Sequence, residues 1–186
     1  MRKLKLQVQI SMDGFIAGTA GEMDWLLFNW SDDLKAYVAA ITEPVDTILL
    51  GRALAEGFIP YWTAAYLGEQ FVEGAKKFVE TPKIVFSKSL YEASWENTTL
   101  NSGELATEIN ALKQLEGADM IVYGGGKFVS SLLKDQLIDE LHLFINPTIL
   151  GRGMPIFSEI TGKQTYKLLA SQSFDCGIVV LTYQST

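Results

Sequence analysis

Residues that commonly carry metal or nucleophilic chemistry are scarce in this chain of 186 residues. It contains one cysteine, Cys176, and one histidine, His142. A single thiol cannot form an internal disulfide, and this pair is too small for a His-rich or Cys-rich metal site or a Ser-His-Asp triad. We therefore expect no metal, and chemistry that depends on carboxylates, backbone groups or a bound cofactor.

An excess of positive charge and a long apolar run are also lacking. The 15 Lys and Arg residues face 22 Asp and Glu residues, a net charge of −7, which argues against a nucleic-acid partner. No apolar run approaches the roughly 18 residues that span a bilayer, and the start of the chain lacks a signal-peptide apolar region. We expect one cytoplasmic domain over residues 1–186, with no membrane partner.

Predicted strands alternate with predicted helices through the first two thirds of the chain. The strands are Leu4–Ile10, Asp46–Gly51, Lys83–Phe86, Thr98–Asn101, Asp119–Tyr123, Glu140–Thr148, Tyr166–Ser173 and Gly177–Gln184. The helices begin near Ser31, Glu69, Ser102 and Lys127, and an aromatic-rich loop is expected between Gly57 and Gly68. This order predicts an α/β fold with a largely parallel sheet and antiparallel strands at its late edge.

Three consecutive glycines, Gly124, Gly125 and Gly126, follow the strand that ends at Tyr123 and precede a helix. Residues without a Cβ let the backbone approach a ligand closely, and a helix N-terminus favours an anion. A phosphate or pyrophosphate is one occupant that fits this turn. A tight strand-to-helix turn without a ligand is the alternative.

Polar or glycine residues follow two further strands at the corresponding position. Gly51 and Arg52 come after the second strand, and Ser87, Lys88 and Ser89 come after the third. Ligands of open α/β sheets bind at the carboxyl ends of strands, so these three segments at strand ends together favour a dinucleotide. The chain nevertheless has neither the G-x-G-x-x-G motif after its first strand nor a P-loop.

Four segments carry a resemblance to a known family. Ser11–Gly18, Leu49–Arg52 and Val122–Gly126 resemble the dihydrofolate reductase fold. Asn146–Phe157 is similar to the reductase (C-terminal) domain of the bifunctional deaminase-reductases of riboflavin biosynthesis. The resemblance covers nearly the whole chain. It implies a mostly parallel central sheet with antiparallel C-terminal edge strands and helices on both faces.

The same resemblance implies NADPH as the cofactor. It assigns cofactor contacts to Ile16, Ala17, Gly18, Gly51, Arg52, Ser87, Lys88, Ser89, Gly124, Gly125, Gly126, Lys127 and Phe128. A guanidinium matches phosphate bidentately, which favours Arg52 as a clamp for the 2′-phosphate. The alternative is a surface arginine at the start of a helix.

Two carboxylates and three tryptophans are candidates for the substrate end of the site. Asp33 opens the first helix, where the family places an acid, and Asp13 lies in a turn that flanks the active site of riboflavin-type reductases. Helix capping and turn formation explain the same two residues without catalysis. Trp25, Trp30 and Trp62 are candidates for stacking on a heteroaromatic ring, or are core residues.

These observations predict an NADPH-dependent reductase that transfers hydride to a small pterin-like or pyrimidine-like substrate. A non-catalytic NADP(H)-binding module of the same fold is the first alternative. A structural protein whose glycines serve only as turns is the second. We also expect a homodimer, as is common in the family.

Overall fold

The computed structural model describes residues 1–69, 72, 74–124 and 126–186. Its main sheet has eight strands in the order β5-β4-β3-β6-β1-β7-β10-β9. These are β1 Leu4–Ile10, β3 Val45–Gly51, β4 Lys83–Phe86, β5 Thr98–Asn101, β6 Asp119–Tyr123, β7 Glu140–Ile145, β9 Tyr166–Ser173 and β10 Val179–Ser185. The first six in spatial order pair in parallel, and β10 and β9 add antiparallel pairs. The predicted fold class is confirmed.

Five helices cover the sheet in the described residues: α1 Asp32–Thr42, α2 Arg52–Leu67, α3 Ala75–Glu80, α4 Leu105–Gln114 and α5 Gly126–Lys134. Within the same residues, no helix is long and apolar enough to cross a membrane. A second, two-stranded sheet pairs β2 Phe15–Ala17 with β8 Met154–Pro155. This small sheet holds the first loop against the segment that follows β7.

One face of the main sheet carries the largest apolar core. Leu4, Leu6 and Val8 of β1 are at most 2% exposed and pack with residues of β6 and β7, while α4 and α5 cover them. Burial of one such side chain contributes about 1.5–3 kcal/mol, so this face supplies much of the stability of the fold.

The opposite face is divided into two apolar clusters. Under α2, Ile48 and Leu50 of β3 pack with residues of β4 and β6. Under α1, Phe144 of β7 packs with residues of β10. Strand β1 lies between them and presents Lys5, Gln7 and Gln9 to this face, because side chains alternate along a strand. We call these three residues the polar strip.

The prediction of a loop between Gly57 and Gly68 is wrong, because helix α2 continues through this segment to Leu67 and contains Pro60. A proline removes one helical hydrogen bond, but Ala55 and Ile59 are buried against the sheet, and this packing outweighs the local preference. Of the helix predicted from Glu69, the structure shows α3 from Ala75, after Gly74 with φ 82°, while residues 70, 71 and 73 lie outside the described residues.

Gly124 is required by the packing of the chain itself. A Cβ there would lie 2.6 Å from Cγ2 of Val8, a stiff and buried side chain. A Cβ on Gly126 would meet only Cδ1 of Ile16, at 3.8 Å. Packing within the protein therefore requires a glycine at position 124 but not at position 126.

We predict that Gly124→Ala lowers the free energy of unfolding by about 1–3 kcal/mol, as overpacking of a core does. Gly126→Ala is the matched control and should leave the free energy of unfolding unchanged or raise it slightly. Urea titration measures both, and Val8→Ala in the Gly124→Ala background should recover part of the loss. Equal effects of the two alanines would contradict this assignment.

Candidate active site

The three segments predicted from sequence to bind a dinucleotide lie at the carboxyl ends of neighbouring strands. β4, β3 and β6 are adjacent in the sheet and parallel, so Ser87, Arg52 and Gly124 follow them at one edge. These residues are far apart in sequence, and the sheet order alone brings them together. We call this edge the carboxyl edge.

Two helices begin at this edge on adjacent strands. α2 starts at Arg52 after β3, and α5 starts at Gly126 after β6. The N-cap of α2, Gly51, supplies no side-chain hydrogen bond to the helix. The first N–H groups of a helix have no partner within it, so an anion at this edge would find main-chain donors and a positive dipole end.

The remaining glycines of the predicted cofactor set differ in what they contact. A Cβ on Gly51 would lie 2.6 Å from Cβ of Phe128, so β3 and α5 meet there directly. A Cβ on Gly18 would collide with the Glu22 side chain. Gly125 lies outside the described residues. Among the glycines of this set that the structure describes, Gly126 is the one where the protein leaves room for a side chain.

A cavity of about 360 Å³ opens at the same edge beyond β4 and β5. The rings of Phe86 and Phe128 stack in its wall with centroids 5.2 Å apart. The lining residues are Phe86, Ser87, Lys88, Asn101, Gly103, Glu104, Leu105 and Phe128. Four predicted positions thus meet the cavity or its wall: Ser87, Lys88 and Phe128 line it, and Gly51 packs on Phe128.

The polar groups around this cavity are partly engaged with the chain. Ser87 Oγ accepts hydrogen bonds from the N–H groups of Ser89 and Leu90. The Lys88 ammonium donates to the carbonyls of Ser102 and of Gly103, the latter at 2.8 Å. An ammonium has three N–H donors, so one remains for a ligand.

Arg52 and Lys127 lie at the two helix N-termini. The Arg52 guanidinium forms an ion pair with Glu56 one turn later, at 3.0 Å, and both side chains are about half exposed. Such an exposed pair is weak, so a phosphate can compete for the guanidinium. Lys127 is exposed in the first turn of α5.

The first loop reaches the glycine turn through β2. Ile16 is buried next to Gly126, and Ala17 pairs with Met154 of β8. Gly153 is a glycine because a Cβ there would lie 2.3 Å from the Ala17 carbonyl oxygen. The two segments that carried the resemblance, near residues 11–18 and 146–157, are therefore in direct contact.

Asp13 links these two segments. Its carboxylate accepts from Ser11 Oγ at 2.6 Å, from the Gly151 N–H at 2.7 Å and from the Leu150 N–H at 3.2 Å. These bonds, with the Ser11 hydroxyl first, hold the pKa of Asp13 below its ordinary value. Asp13 is therefore an ionised carboxylate that fixes the loop after β7.

Asp33 makes a similar link at the start of α1. It accepts from the Ser31 hydroxyl, from the Leu34 N–H at 2.8 Å and from the Asp175 N–H at 3.1 Å. The Ser31 hydroxyl is the main reason why the pKa of Asp33 lies below its ordinary value. Both candidate acids thus lie toward the carboxyl edge, each bonded to main-chain N–H groups.

The three candidate tryptophans lie in different surroundings. Trp62 stacks on Phe78 in the cluster under α2, and Trp30 stacks on Phe144 in the cluster under α1. Trp25 lies in the loop before α1, partly exposed. The indole nitrogens of Trp25 and Trp62 are buried and have no hydrogen-bond partner, whereas Trp30 donates to the Leu27 carbonyl at 2.8 Å.

With this geometry, comparison with known proteins decides the family. The model of the RibD C-terminal domain matches residues 2–180. The chain belongs to the RibD C-terminal domain family.

Individual proteins resemble the chain over their full length or over one part. YyaP of Bacillus subtilis is 29% identical over 98% of this chain and 94% of that protein. A deaminase/5-amino-6-(5-phosphoribosylamino)uracil reductase of Thermotoga maritima superposes with a TM-score of 0.72 at 18% identity, over 100% of this chain and 57% of that one. Dihydrofolate reductase of Enterococcus faecalis, solved with NADP(H), superposes with a TM-score of 0.63 at 19% identity, over 99% of this chain and 96% of that one.

These findings confirm the resemblance and the fold. The RibD C-terminal domain family and the dihydrofolate reductase neighbour support a pyrimidine or pterin reductase-like fold. The chain spans little more than half of the Thermotoga protein, so the activity of that whole protein does not transfer to it.

Sequence analysis does not identify the polar strip as part of the candidate site. Gln7 is 8% exposed, and its Oε1 atom is buried without a hydrogen-bond partner. An unsatisfied buried acceptor costs about 1–3 kcal/mol, so its presence calls for a reason. The available signal was the alternation of polar residues in β1, which is unusual for a central parallel strand buried on both faces.

Beside Gln7 lies a hydrogen-bonded network that includes the only histidine. His142 of β7 is in register with Gln7. Its Nε2 contacts Glu140 Oε1 at 2.8 Å, and its Nδ1 contacts the Tyr37 hydroxyl at 2.7 Å. A carboxylate only accepts, so Nε2 carries the proton and the Tyr37 hydroxyl donates to Nδ1. Thr182 Oγ1, 3.0 Å from the tyrosine oxygen, then donates to it.

Burial keeps the imidazole neutral. Burial lowers the pKa of His142 below 6.5, and the nearby Lys5 acts in the same direction, although Glu140 opposes both. In the unfolded chain the imidazole titrates near 6.5. The unfolded state therefore binds more protons below that pH, and the unfolding free energy falls as the pH falls.

We predict that wild-type stability declines from pH 7.5 toward pH 5 with a component that His142→Gln removes. Glutamine can still donate to Glu140 but does not titrate. Urea midpoints at several pH values measure the difference between the two proteins. Parallel pH curves would show that His142 does not carry this component.

Proposed function

We propose that the protein is an NADPH-dependent reductase of a small pterin-like or pyrimidine-like heteroaromatic compound. The observation that carries the proposal is the start of α2 and α5 at the carboxyl ends of the adjacent strands β3 and β6. The bound cofactor supplies a hydride, and the protein supplies binding, orientation and a proton route.

The residues of the carboxyl edge fit a dinucleotide. The uncapped start of α2 and the space beside Gly126 suit the pyrophosphate. The cavity lined by Phe86, Phe128 and Lys88 suits the adenosine, with Lys88 and Arg52 as donors for the 2′-phosphate. Ser87, Ser89, Lys127, Ile16, Ala17 and Gly18 complete the proposed cofactor set, together with Gly51 and Gly124.

The substrate would bind over β1, between the apolar clusters under α1 and α2. Asp33 or Asp13 would orient it, and that acid or water would supply the proton. Trp25 is the tryptophan best suited to stack on the substrate ring, because it belongs to neither cluster and is partly exposed. Trp30 and Trp62, which belong to these two clusters, would flank the substrate.

A non-catalytic NADP(H)-binding module is the second candidate function. It is favoured by the engagement of both candidate acids in main-chain hydrogen bonds, which gives each a structural reason to be present. In that case the cofactor would bind without turnover of any small heteroaromatic compound.

We predict that NADPH stabilises the protein in a thermal-shift assay, by about 2.7 kcal/mol at 100 times its dissociation constant. Arg52→Ala should weaken NADPH about tenfold or more and leave NADH nearly unchanged, because only NADPH carries the 2′-phosphate. Glu56→Gln is the matched control: without its ion-pair partner, the guanidinium should bind NADPH at least as tightly.

Two results would contradict this assignment. No shift with either nucleotide would leave the glycines as turns only and support a structural protein. Equal losses for NADPH and NADH in Arg52→Ala would remove Arg52 from the 2′-phosphate site while leaving the cofactor in place.

For the acids, we predict that Asp33→Asn lowers turnover of a pterin or pyrimidine substrate and leaves NADPH affinity intact. Asn retains one acceptor for the Asp175 or Leu34 N–H but carries no charge. Steady-state kinetics with NADPH oxidation as readout measure this, with Asp13→Asn assayed in parallel. An unchanged rate in a stably folded Asp33→Asn protein would show that Asp33 only caps helix α1.

We also propose a homodimer. The strand expected at Glu140–Thr148 is enclosed as β7 between β1 and β10, so its apolar residues are used within the monomer. Strand β9 is the outer strand on that side and exposes Leu168 and Leu169. It is the better candidate for the interface, and sedimentation velocity of the intact protein tests it.

A further inference from the structure

The cavity of about 360 Å³ at the carboxyl edge has one acid and one base among its lining residues. Lys88 follows β4, and Glu104 is the N-cap of α4. Because their formal charges cancel, this lining carries no net charge. Glu104 belongs to none of the four segments that carried the resemblance, so its role has to be derived from the structure.

The carboxylate of Glu104 is held in place by the helix that it caps. Its Oε2 accepts from the Thr107 N–H at 2.8 Å, and its Oε1 accepts from the Ala106 N–H at 3.2 Å. These bonds, with those of Thr107 first, hold the pKa of Glu104 below its ordinary value, and Lys88 acts in the same direction. An ionised carboxylate offers about four lone pairs, so Glu104 keeps acceptor sites for a ligand in the cavity.

Lys88 is tied to the turn directly before this carboxylate. Its ammonium donates to the carbonyls of Ser102 and Gly103, the latter at 2.8 Å, and one N–H donor is left. A phosphate monoester carries a charge of about −1.5 to −2 at pH 7. In this cavity it would meet one free donor of Lys88 and a fixed negative charge.

We propose that Glu104 determines cofactor specificity in this cavity by accepting a hydrogen bond from a ribose 2′-hydroxyl and opposing a 2′-phosphate. This inference rests on the proposed function, which places the adenosine in the cavity. Lys88 and Arg52 favour NADPH, and Glu104 reduces that preference so that NADH also binds. An acid that accepts from the 2′-hydroxyl is the means by which other dinucleotide sites bind NAD.

The two helix starts nearest the proposed nucleotide differ in the same sense. α2 begins without a side-chain cap, which leaves its main-chain N–H groups to the pyrophosphate that both nucleotides share. α4 carries the Glu104 carboxylate at the position where an anion would bind. The group that distinguishes NADPH from NADH therefore meets a helix start that is already occupied by a negative charge.

The test measures the dissociation constants of NADPH and NADH for the full chain by isothermal titration calorimetry. Glu104→Gln keeps the size of the side chain and one acceptor oxygen but removes the charge. The ratio of the NADH constant to the NADPH constant should rise about tenfold, because NADPH no longer meets a like charge and NADH loses a charged acceptor. The ratio cancels effects on the parts that the two nucleotides share.

Matched variants separate charge from capping. Asp and Asn are both good N-caps, so Glu104→Asp and Glu104→Asn keep α4 capped and differ from each other in charge. The ratio should be higher in the Asn variant, and about 0.5 M salt should shrink this difference because exposed charges are screened. Glu116→Gln removes an exposed charge beyond the other end of α4 and should keep the wild-type ratio.

Two outcomes overturn the inference and leave the proposed function in place: an unchanged ratio in Glu104→Gln, or equal ratios in the Asp and Asn variants. If wild type binds neither nucleotide, the proposed function fails. Adenosine 2′,5′-bisphosphate and adenosine 5′-monophosphate, which differ in the 2′-phosphate alone, are then titrated instead. Absence of binding by both, or a relative affinity that Glu104→Gln does not change, would overturn the inference as well.

Discussion

The burial of β1 on both faces is the constraint on which the rest of the structure depends. This strand lies between β6 and β7, and its residues Leu6 and Val8 fill the core under α4 and α5. Its other face carries Lys5, Gln7 and Gln9, which cannot be covered by apolar side chains without leaving polar atoms unpaired. The apolar clusters under α1 and α2 therefore remain separate, and this separation is a consequence of the sequence of one strand.

The carboxyl edge depends on a different kind of interaction. There the groups proposed to bind the cofactor are mostly main-chain N–H groups at helix starts, and glycines allow a close approach. Such a site does not need a basic surface, which explains how a chain with net charge −7 can offer an anion site. The cations at this edge are individually held, Arg52 by Glu56 and Lys88 by two carbonyls, and each retains N–H donors.

The fold was largely predictable because its signals are local and repeated. β1 and the strand before the glycine turn were predicted with their observed bounds, and the family segments anticipated the sheet class. α2 was missed because Pro60 and Gly57 suggest a break, whereas burial of Ile59 decides the outcome. Gln7 was missed for another reason: alternation in β1 is equally typical of a half-exposed strand. Only pairing with β6 and β7, far away in sequence, makes that strand central.

The two candidate acids have a structural role that also suits the role proposed for them in substrate binding. Asp13 and Asp33 each bridge a loop to the body of the protein, so their charges are stabilised by hydrogen bonds and their pKa values lie below the ordinary range. A carboxylate with a lowered pKa is a poor proton donor near neutral pH. It remains well suited to orienting a ligand N–H. In the proposed reaction, such a fixed and ionised acceptor therefore suits orientation of the substrate better than proton donation, and water is the better source of the proton.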